Sequence, residues 1–470
     1  MVALAGQAVD ALKLLINSLS RKRIASSPAG CHGREVISPA AAYEDDLVPE
    51  QLQAVERFIA DHWDDTVRFC PEDEGTLTGL PHPYTIPSRQ ETFQELYYWD
   101  TYFTCRGLVG SGRTELAVDN ARNLLAQVER HGFVPNGNRT YYSKRSQIPF
   151  LAPLVALVAE FAGPNFAREA VPVVEREYAF WTLRRISPTG LSRYSHDATP
   201  EELLEFFPTI KYRLGWSDRR GEDCLEETSQ AMAECESGWD FNFRFAHRAK
   251  DFCAVDLNSN LYLYETLLAD WTGLEIWRVR AQRRRELVSS LCWDEVQGMF
   301  FDYDFVKQRR GTVASLAAFQ PMWTGLASTE QAERLVENLL PRLEFPFGLV
   351  ASDPGPEGKV RQWSYPNIWP CLQYVTYRGM ERYGYLAEAR RVAGKYLACV
   401  SRNFAATGDL WEKYHAVDGS THATGEAGYL INPETVEVYN LGAPEEKAPA
   451  MMGWTAGVFI DALRFMETTR

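Results

Sequence analysis

The run Glu236-Ser237-Gly238-Trp239-Asp240 combines the residue types that acid catalysis on a sugar requires. Asp240 directly follows a tryptophan, and Glu236 supplies a second carboxylate four residues earlier. A tryptophan ring can pack on the apolar face of a sugar and exclude water, which raises the pKa of a neighbouring carboxyl group so that it stays protonated. The alternative is a structural role, in which Asp240 caps a helix and Trp239 fills the core.

The composition favours a globular protein rich in the side chains that line carbohydrate sites. The 470 residues are 45% hydrophobic and 13% aromatic, and the formal net charge is −14. An acidic protein gains nothing from phosphate backbones, so neither nucleic acid nor an anionic membrane is an expected partner. The nine cysteines are scattered and odd in number, which is typical of reduced thiols in a cytoplasmic protein. No His or Cys cluster has metal-site spacing, so no metal is expected.

Residues 1–47 are expected to lie outside the main domain. Apolar residues at helical spacing predict an amphipathic helix over 1–24, and residues 25–47 have the composition of a linker. The positive charges follow the apolar residues, which is the reverse of a signal peptide. This helix could dock on the body, on a second copy in a homo-oligomer, or on a membrane surface, although its basic cluster is short. The body is expected to span 48–470.

From residue 48 onward, the apolar spacing predicts one helix after another. Further helices are expected over 274–291, 329–343, 371–383, 386–403 and 453–467. The arginines between 278 and 285 are expected on a solvated helix face, and 299–303 is the best candidate for a short hairpin. About a dozen helices with few strands predict an all-α fold, in which helical hairpins stack in a ring.

Five loops between the predicted helices pair aromatic rings with acids, amides or guanidinium groups. They lie at 92–103, 135–147, 362–370, 410–414 and 453–458. Amide and guanidinium donors can bind sugar hydroxyls in pairs. One such loop could simply be packed, because tryptophan in loops often fills core, but five together indicate a binding site.

These stretches resemble the trehalase family, inverting glycoside hydrolases with an (α/α) six-hairpin toroid. The resemblance covers roughly residues 60–467. The matching segments are Phe93 to Asp100 in the first family signature, Pro135 to Gln147 in the PNGNRxYYxxRSQ segment, Glu236 to Asp240 in ESGWD, Val255 to Asn258 in VDLN, Gln362 to Pro370 in the second signature, Glu412 to Tyr414 in EKY, Gly425-Glu426 in a GGEY-like element, and Gly453 to Val458 in GWTNGV with Ala456 for Asn.

The resemblance implies that Asp240 is the general acid and Glu412 the general base of hydrolysis with inversion. In such enzymes the two carboxyl groups lie about 6.5–9.5 Å apart, which leaves room for the attacking water. The chemistry requires no cofactor, and the implied partner is a small sugar. The implied substrate-binding residues are Phe93, Tyr97, Trp99, Asp100, Asn136, Arg145, Gln147, Gly238, Trp239, Gln362, Trp363, Glu426 and Trp454.

Two arginines of the family are missing. The substrate-clamping arginine of the first signature falls on Thr92, and the arginine of an RPES-like segment is absent from the stretch 199–203, where Glu201 stands. Only Arg145 is kept of three arginines expected around the substrate. Arginine makes rigid bidentate contacts that Thr and Glu cannot copy. The catalytic acids are therefore expected to be intact, whereas recognition of the second sugar is altered.

A re-formed pocket could use other cations and would have its own charge preference. Arg89, Arg193 and Lys211 are the candidates along the sequence. Glu201 and Glu202 would disfavour an anionic leaving group if they line the pocket, which favours a neutral sugar.

Three functions are compatible with these observations. The leading hypothesis is an inverting hydrolase that releases glucose from a small α-glucoside, with trehalose and a different α-linked glucoside both open. The second is a catalytically idle sugar-binding relative, although retention of Asp240 and Glu412 argues against it. The third is a lyase or epimerase on the same toroid, which would use Tyr or His as a proton shuttle. Only His415 lies near a motif, so this interpretation is weak.

Overall fold

The computed structural model describes residues 46–89, 93–211, 213–216, 218–421, 429–431, 438–440 and 449–469. The predicted helix over 1–24 and nearly all of the linker lie outside the described residues, as do Thr92 and Glu426. The division of the chain at residue 47 therefore stays a prediction.

Helices form most of the described chain, and their bounds follow the apolar spacing of the sequence. The helices are α1 (Pro49–His62), α2 (Tyr98–Gly110), α3 (Thr114–His131), α4 (Leu151–Ala162), α5 (Phe166–Ala179), α6 (Pro200–Lys211), α7 (Leu225–Glu236), α8 (Val255–Thr272), α9 (Glu275–Leu291), α10 (Gln320–Thr324), α11 (Thr329–Asn338), α12 (Leu340–Leu343), α13 (Pro370–Arg382), α14 (Leu386–Thr407) and α15 (Gly453–Thr468). The predicted helices that correspond to α9, α13 and α15 agree to within one residue at each end. The helix predicted over 329–343 is divided into α11 and α12.

The strands are two or three residues long and fasten loops to one another. The antiparallel pairs are β1 (Val67–Arg68) with β2 (Tyr84–Thr85), β3 (Phe252–Cys253) with β6 (Tyr303–Asp304), β6 with β7 (Arg309–Arg310), β4 (Trp293–Asp294) with β5 (Met299–Phe300), β8 (Glu344–Phe345) with β9 (Gly348–Leu349), β10 (Asn367–Ile368) with β11 (Tyr414–His415), and β12 (Tyr429–Ile431) with β13 (Val438–Asn440). The β4–β5 pair contains the start of the segment predicted as a hairpin.

Six helices form the inner wall of a ring. Helices α2, α4, α8, α10 and α13 each contact the next in this order, α13 contacts α15, and α15 packs against α2 to close the circle. Helices α3, α5, α9, α14 and α1 pack on the outside. This is an (α/α)6 toroid, so the predicted all-α fold class is confirmed.

Closure of the ring depends on two glycines that face each other across α2 and α15. A Cβ atom at Gly457 would overlap the carbonyl oxygen of Phe103, and one at Gly107 would overlap the Cα of Gly457. Because backbone atoms cannot move aside as a side chain can, only glycine allows the two helices to approach this closely. Their close packing brings the first turns of α2 and α15 side by side.

A buried polar cluster joins three inner helices. Glu177 of α5 accepts hydrogen bonds from the hydroxyls of Tyr98 (2.5 Å) and Tyr264 (2.7 Å). The Tyr98 hydroxyl also accepts from the backbone N–H of Leu151, at the start of α4 (3.0 Å). Burial raises the pKa of Glu177 to about 7. Since every group in the cluster is hydrogen-bonded, it holds the first turns of α2 and α4 and the body of α8 in one arrangement.

The expectation that residues 278–285 form a solvated face is wrong for Arg284. This guanidinium is buried, lies 2.8 Å from the carboxylate of Glu265, and donates to the side-chain oxygen of Asn258 (3.0 Å). The neighbouring Arg283 is exposed, as expected. Arg284 falls on the buried stripe that contains Trp277 and Ala281, at a spacing of seven and three residues. The helical periodicity of these buried positions was missed in the sequence because Arg284 stands within a run of arginines.

The buried carboxylate of Asp461 is expected to contribute strongly to stability because it joins three inner helices. It accepts from Tyr377 (2.6 Å), Arg106 Nε (2.9 Å) and Arg378 Nε (2.8 Å). Removing one partner of a buried ion pair costs about 3–5 kcal/mol. We expect Asp461→Asn to lower the free energy of unfolding by about 3 kcal/mol, measured by urea unfolding with tryptophan fluorescence.

The matched control is Glu467→Gln on the same helix, whose ion pair with Arg464 is solvent-exposed. Exposed pairs contribute about 0–1 kcal/mol, so this variant should differ little from the parent protein. Equal stability of the two variants would contradict the structural role assigned to Asp461.

Candidate active site

The five segments singled out from the sequence meet at the N-terminal ends of the inner helices, where short stretches of backbone pairing join them. Residues 98–103 and 453–458 were expected in loops but belong to α2 and α15. Antiparallel bridges connect Tyr97 to Gly137 and Trp411 to Ala450. The β10–β11 pair joins the loop before α13 to the loop that contains Glu412. These segments therefore form one surface although they are distant in sequence.

A cluster of buried tryptophans forms the floor of this surface. Trp363 stacks on Trp369 with ring centroids 3.7 Å apart and an interplanar angle of 4°. Trp239 and Trp99 lie 5.4 and 5.6 Å from Trp363, and Trp454 meets Trp99 edge-on at 5.9 Å. Aromatic pairs in these geometries are favourable beyond the area they bury. The cluster joins four of the segments predicted to form the site into a rigid base.

Gly238 allows the turn that ends α7 to pass over this base. Its φ of +74° lies in the left-handed region, and a Cβ atom there would lie 3.0 Å from the Trp99 ring. A side chain would therefore strain the backbone and press on the indole. This turn carries Asp240 out of the buried core, and 27% of its side chain is exposed.

Asp240 is held by two side chains from different loops. Arg213 Nη1 donates to Asp240 Oδ2 (2.8 Å), and Arg213 Nη2 donates to the Asp240 carbonyl oxygen (2.8 Å). The Gln362 side-chain amide donates to the same carbonyl oxygen. Both the backbone and the carboxyl group of Asp240 are thus fixed.

Glu412 is nearly buried and is linked to Asp240 through two intervening side chains. Lys413 Nζ lies 3.1 Å from Glu412 Oε2 and donates to Gln362 Oε1 (3.0 Å). Trp454 Nε1 donates to the Glu412 carbonyl oxygen (3.0 Å). Gln362 and Lys413 therefore connect the loops of Asp240 and Glu412 through direct contacts. From the sequence, Lys413 had no assigned role, because a residue adjacent to Glu412 on a loop could point elsewhere.

Arg145, Asn136 and Gln147 form one wall of the site. Arg145 Nε donates to Asn136 Oδ1 (3.1 Å), and its guanidinium lies 5.1 Å from the Tyr142 ring. Gln147 Oε1 accepts from the backbone N–H of Trp99 (3.3 Å). The loop 135–147 is thereby attached to the first turn of α2.

Phe93 and Tyr97 extend this wall outward. Their ring centroids are 6.0 Å apart, and the Tyr97 ring lies 5.7 Å from that of Tyr142. The Tyr97 hydroxyl donates to Glu95 Oε2 (2.8 Å), which fixes its direction. Both rings are partly exposed and can contact a ligand.

Asp100 lies in the first turn of α2, and its carboxyl group is affected by both Glu412 and Asp240. Burial raises the pKa of Asp100 to about 8, and the negative charges of Glu412 and Asp240 add to the increase. Below pH 8 this side chain is therefore largely a neutral acid that can donate a hydrogen bond. The three carboxyl groups share one region of the site.

Glu236, the second acid of the starting run, has a structural role. It is fully buried, and its carboxylate accepts from Arg185 Nε (2.9 Å), Ser195 N (2.7 Å) and Ser146 N (3.0 Å). These bonds attach two loops to the end of α7. Of the two acids in the run, only Asp240 is available for chemistry.

The stretch that lacks the expected arginine begins a helix instead. Thr199 Oγ1 accepts from the Glu202 N–H (3.3 Å), and Glu202 Oε2 accepts from the Thr199 N–H (2.8 Å), which is a capping box at the start of α6. Glu202 also pairs with Lys144 (2.8 Å), and Glu201 is exposed. The charge of Glu202 is therefore balanced locally, which weakens the argument against an anionic leaving group.

Two of the arginines suggested as replacements have other partners. Arg89 pairs with Asp65 and Asp409 at 3.4 Å, and Arg193 donates to the Lys250 carbonyl oxygen (2.7 Å). The arginine at Asp240 is Arg213, which sequence reasoning missed. It belongs to no motif, and no helix over 200–211 is predicted from the sequence that could have indicated its direction.

Two features of other functional classes are absent from the described ranges. No group of three or more His, Cys, Asp or Glu side chains within these ranges is arranged to hold a metal ion. Among the same residues, no helix combines the length and apolar character that crossing a bilayer would need.

Comparison with known proteins identifies the family and the fold of this chain. A family model described as Trehalase matches residues 36–467. The solved structure of neutral trehalase Nth1 from Saccharomyces cerevisiae is 26% identical, with a TM-score of 0.68 over 87% of this chain and 80% of that chain. The GH63 mannosylglycerate hydrolase from Thermus thermophilus is 17% identical, with a TM-score of 0.56 over 87% of this chain and 99% of that chain, and shows a shared fold. Because the family model matches most of the 470 residues of this chain, the chain belongs to the trehalase family.

Proposed function

We propose that this protein is an inverting glycoside hydrolase that releases glucose from a small α-glucoside, either trehalose or a related disaccharide. The observation that carries the proposal is the line of contacts from Asp240 through Gln362 and Lys413 to Glu412. It connects the backbone of Asp240 to the carboxylate of Glu412, the two residues that the family resemblance assigns as acid and base. Membership of the trehalase family supports glycoside hydrolysis as the reaction class.

In the proposed reaction, the two carboxyl groups act on opposite faces of the bound glucose. Asp240 gives its proton to the glycosidic oxygen as the bond to the anomeric carbon breaks. Glu412 takes a proton from the water that attacks that carbon from the other side. Lys413 contacts Glu412 Oε2, which leaves Oε1 to receive the proton. The products are β-glucose and the second sugar.

The surrounding residues are suited to bind the glucose that is cleaved. Arg145 and Asn136 supply donors and acceptors on one side, and the tryptophan floor supplies an apolar surface. Asp100, neutral below about pH 8, can donate a hydrogen bond to a hydroxyl. The identity of the second sugar is open because family arginines are replaced at Thr92 and Glu201. The cytoplasmic location and a homo-oligomeric state stay predictions.

A substrate screen tests the proposed function. Trehalose, kojibiose, nigerose, maltose, isomaltose, sucrose and glucosylglycerate would be incubated with the enzyme and followed by proton NMR. We expect release of glucose from at least one of them, with the glucose at the attacked carbon appearing as the β-anomer because the mechanism inverts the α-linkage. From trehalose the leaving glucose keeps its own α-configuration, so equal amounts of α- and β-glucose at first indicate inversion, whereas α-glucose alone would contradict it. Inactivity on the whole panel would contradict the proposed substrate class. Each missing hydrogen bond to a charged group costs about 1.5–3 kcal/mol, so trehalose is expected to be a poor substrate unless another cation replaces the arginines.

Replacement of either acid should remove most of the activity while preserving the fold. Asp240→Asn cannot protonate the leaving oxygen, and Glu412→Gln cannot accept a proton from water. Each role contributes typically about 10²–10⁴-fold, so kcat on the best substrate should fall by at least about 10²-fold.

The control is Glu275→Gln, because this carboxylate lies on the exposed surface of α9. Near-full activity of either acid variant, measured beside the control and with an unchanged circular dichroism spectrum, would show that its role is wrongly assigned.

The raised pKa of Asp100 predicts a pH-dependent contribution to stability. In the folded protein Asp100 keeps its proton up to about pH 8, whereas an aspartate in an unfolded chain loses it near pH 3.8. The folded state thus binds the extra proton between these pH values, so this group's contribution to stability falls as pH rises from about 4 to 8. The slope is at most about 1.4 kcal/mol per pH unit.

Asp100→Asn removes this ionisation, so the stability of the variant relative to the parent should rise from pH 5 to pH 8. The other titratable groups are the same in both proteins, so the difference between the two stabilities reports Asp100 alone. These groups include Glu177, whose pKa is also raised, to about 7. Thermal unfolding midpoints of both proteins across this range provide the measurement. If the unfolding midpoints of the two proteins change with pH in parallel, Asp100 is ionised over the whole range from pH 5 to pH 8.

A further inference from the structure

The proposed general acid has an arginine partner that lies outside the short sequence motifs that carry the family resemblance. Arg213 follows α6, and only 6% of its side chain is exposed. Two of its N–H groups bind one residue, because Nη1 donates to Asp240 Oδ2 and Nη2 donates to the Asp240 carbonyl oxygen, both at 2.8 Å. This fork restrains the carboxyl group and the backbone together, which a single point contact could not do.

Local packing fixes the direction from which Arg213 approaches. Ile210 and Leu214, on and just after α6, belong to a small apolar cluster that includes Cys235 and Phe241. The Leu214 N–H donates to the Ile210 carbonyl oxygen (3.0 Å), which continues the helical turn through Arg213. The guanidinium lies 4.9 Å from the ring of Phe241, the residue directly after Asp240 in the chain. The arginine is therefore built into the structure and is not a loose surface side chain.

Helix α6 is attached to the rest of the site as well. Phe206 lies 5.2 Å from the guanidinium of Arg145, and Glu202 pairs with Lys144 at 2.8 Å. In an inverting hydrolase the general acid stands beside the leaving group, and the base and water stand on the opposite face. Arg213 holds Asp240, whereas Lys413 holds Glu412. The Arg213 side of the site is accordingly the leaving-group side.

We propose that Arg213 is the positioning residue of the general acid, which orients Asp240 so that Oδ1 faces the glycosidic oxygen of a leaving sugar. The inference rests on the proposed function and assigns a role to a residue for which the family resemblance provides none. It also places a guanidinium just after α6, the helix whose first turn holds Glu201 in place of a family arginine. Arg213 acts through Asp240, so its replacement should lower the rate of hydrolysis only for substrates whose leaving group needs a proton.

Two substrates with the same glucose separate this role from general damage to the site. A disaccharide leaves as an alcohol and requires the proton of Asp240. The fluoride of α-D-glucosyl fluoride leaves as an anion when its bond to the anomeric carbon breaks, and water supplies the new hydroxyl group while its proton goes to Glu412. We expect Arg213→Gln to lower kcat/KM on the best disaccharide by about 10²-fold, as for a misplaced general acid, and to change hydrolysis of the fluoride little.

Arg213→Lys is the conservative variant. It keeps the charge and one donor but loses the fork, so it should recover part of the disaccharide activity. It also provides a second test if the glutamine variant is unstable, because the ratio of kcat/KM on the disaccharide to kcat/KM on the fluoride is measured within one protein.

Two further arginines serve as matched comparisons. Arg219→Gln removes an arginine of the same segment that pairs with Glu227 on the surface, and both activities should be unchanged. Arg145→Gln removes the arginine on the glucose side and should lower both activities together.

Equal loss of both activities in Arg213→Gln, or no loss in either, would overturn the proposed positioning role. Failure of the parent enzyme on every disaccharide and on the fluoride is a different result. It would overturn the proposed function itself, and the role of Arg213 would fall with it.

Discussion

The close approach of α2 and α15 is the constraint on which the site depends. The facing glycines Gly107 and Gly457 let the two helices touch, and this closes the ring. The same contact places the first turns of these helices together, so that Trp99 and Trp454 meet at 5.9 Å. Trp99 underlies the turn that carries Asp240, and Trp454 binds the carbonyl oxygen of Glu412. Helix packing at the ring closure therefore sets where the two proposed catalytic acids lie relative to each other.

Buried ion pairs complete the support behind the tryptophan floor. The Arg244 guanidinium lies 4.4 Å from the Trp239 ring and pairs with Asp256 (2.7 Å) and Asp302 (2.8 Å). Asp256 belongs to the VDLN segment, whose role is thus to hold the back of the site. Such pairs add little net stability, because desolvation offsets their attraction, but loss of one partner is costly. Their effect here is to allow only one orientation of Trp239.

Much of this arrangement could be predicted from the sequence, because the loops carry recognisable residue types and the helices have clear apolar periodicity. The contacts of Trp99, Arg145 and Gln362 agree with a shared site. The contacts of Lys413 and Arg213 with the proposed catalytic acids were not predicted, because the direction of a loop side chain depends on packing across the fold. Arg213 approaches Asp240 only because α6 docks on Phe241 and its neighbours, and no local pattern encodes that docking.

The cation beside Asp240 suits the proposed role of this residue, because it stabilises the carboxylate that forms when the general acid gives up its proton. Three carboxyl groups, those of Asp100, Asp240 and Glu412, share one region of reduced solvent access, where like charges destabilise one another. Asp100 avoids part of this cost by keeping its proton up to about pH 8. Glu412 has Lys413 as its counter-charge, and Asp240 has Arg213. Arg213 reaches Asp240 from the end of α6, the helix whose first turn holds Glu201 where the family resemblance expects an arginine. A leaving sugar beside Asp240 would therefore meet a guanidinium whose position is set by the docking of α6 and not by a family motif.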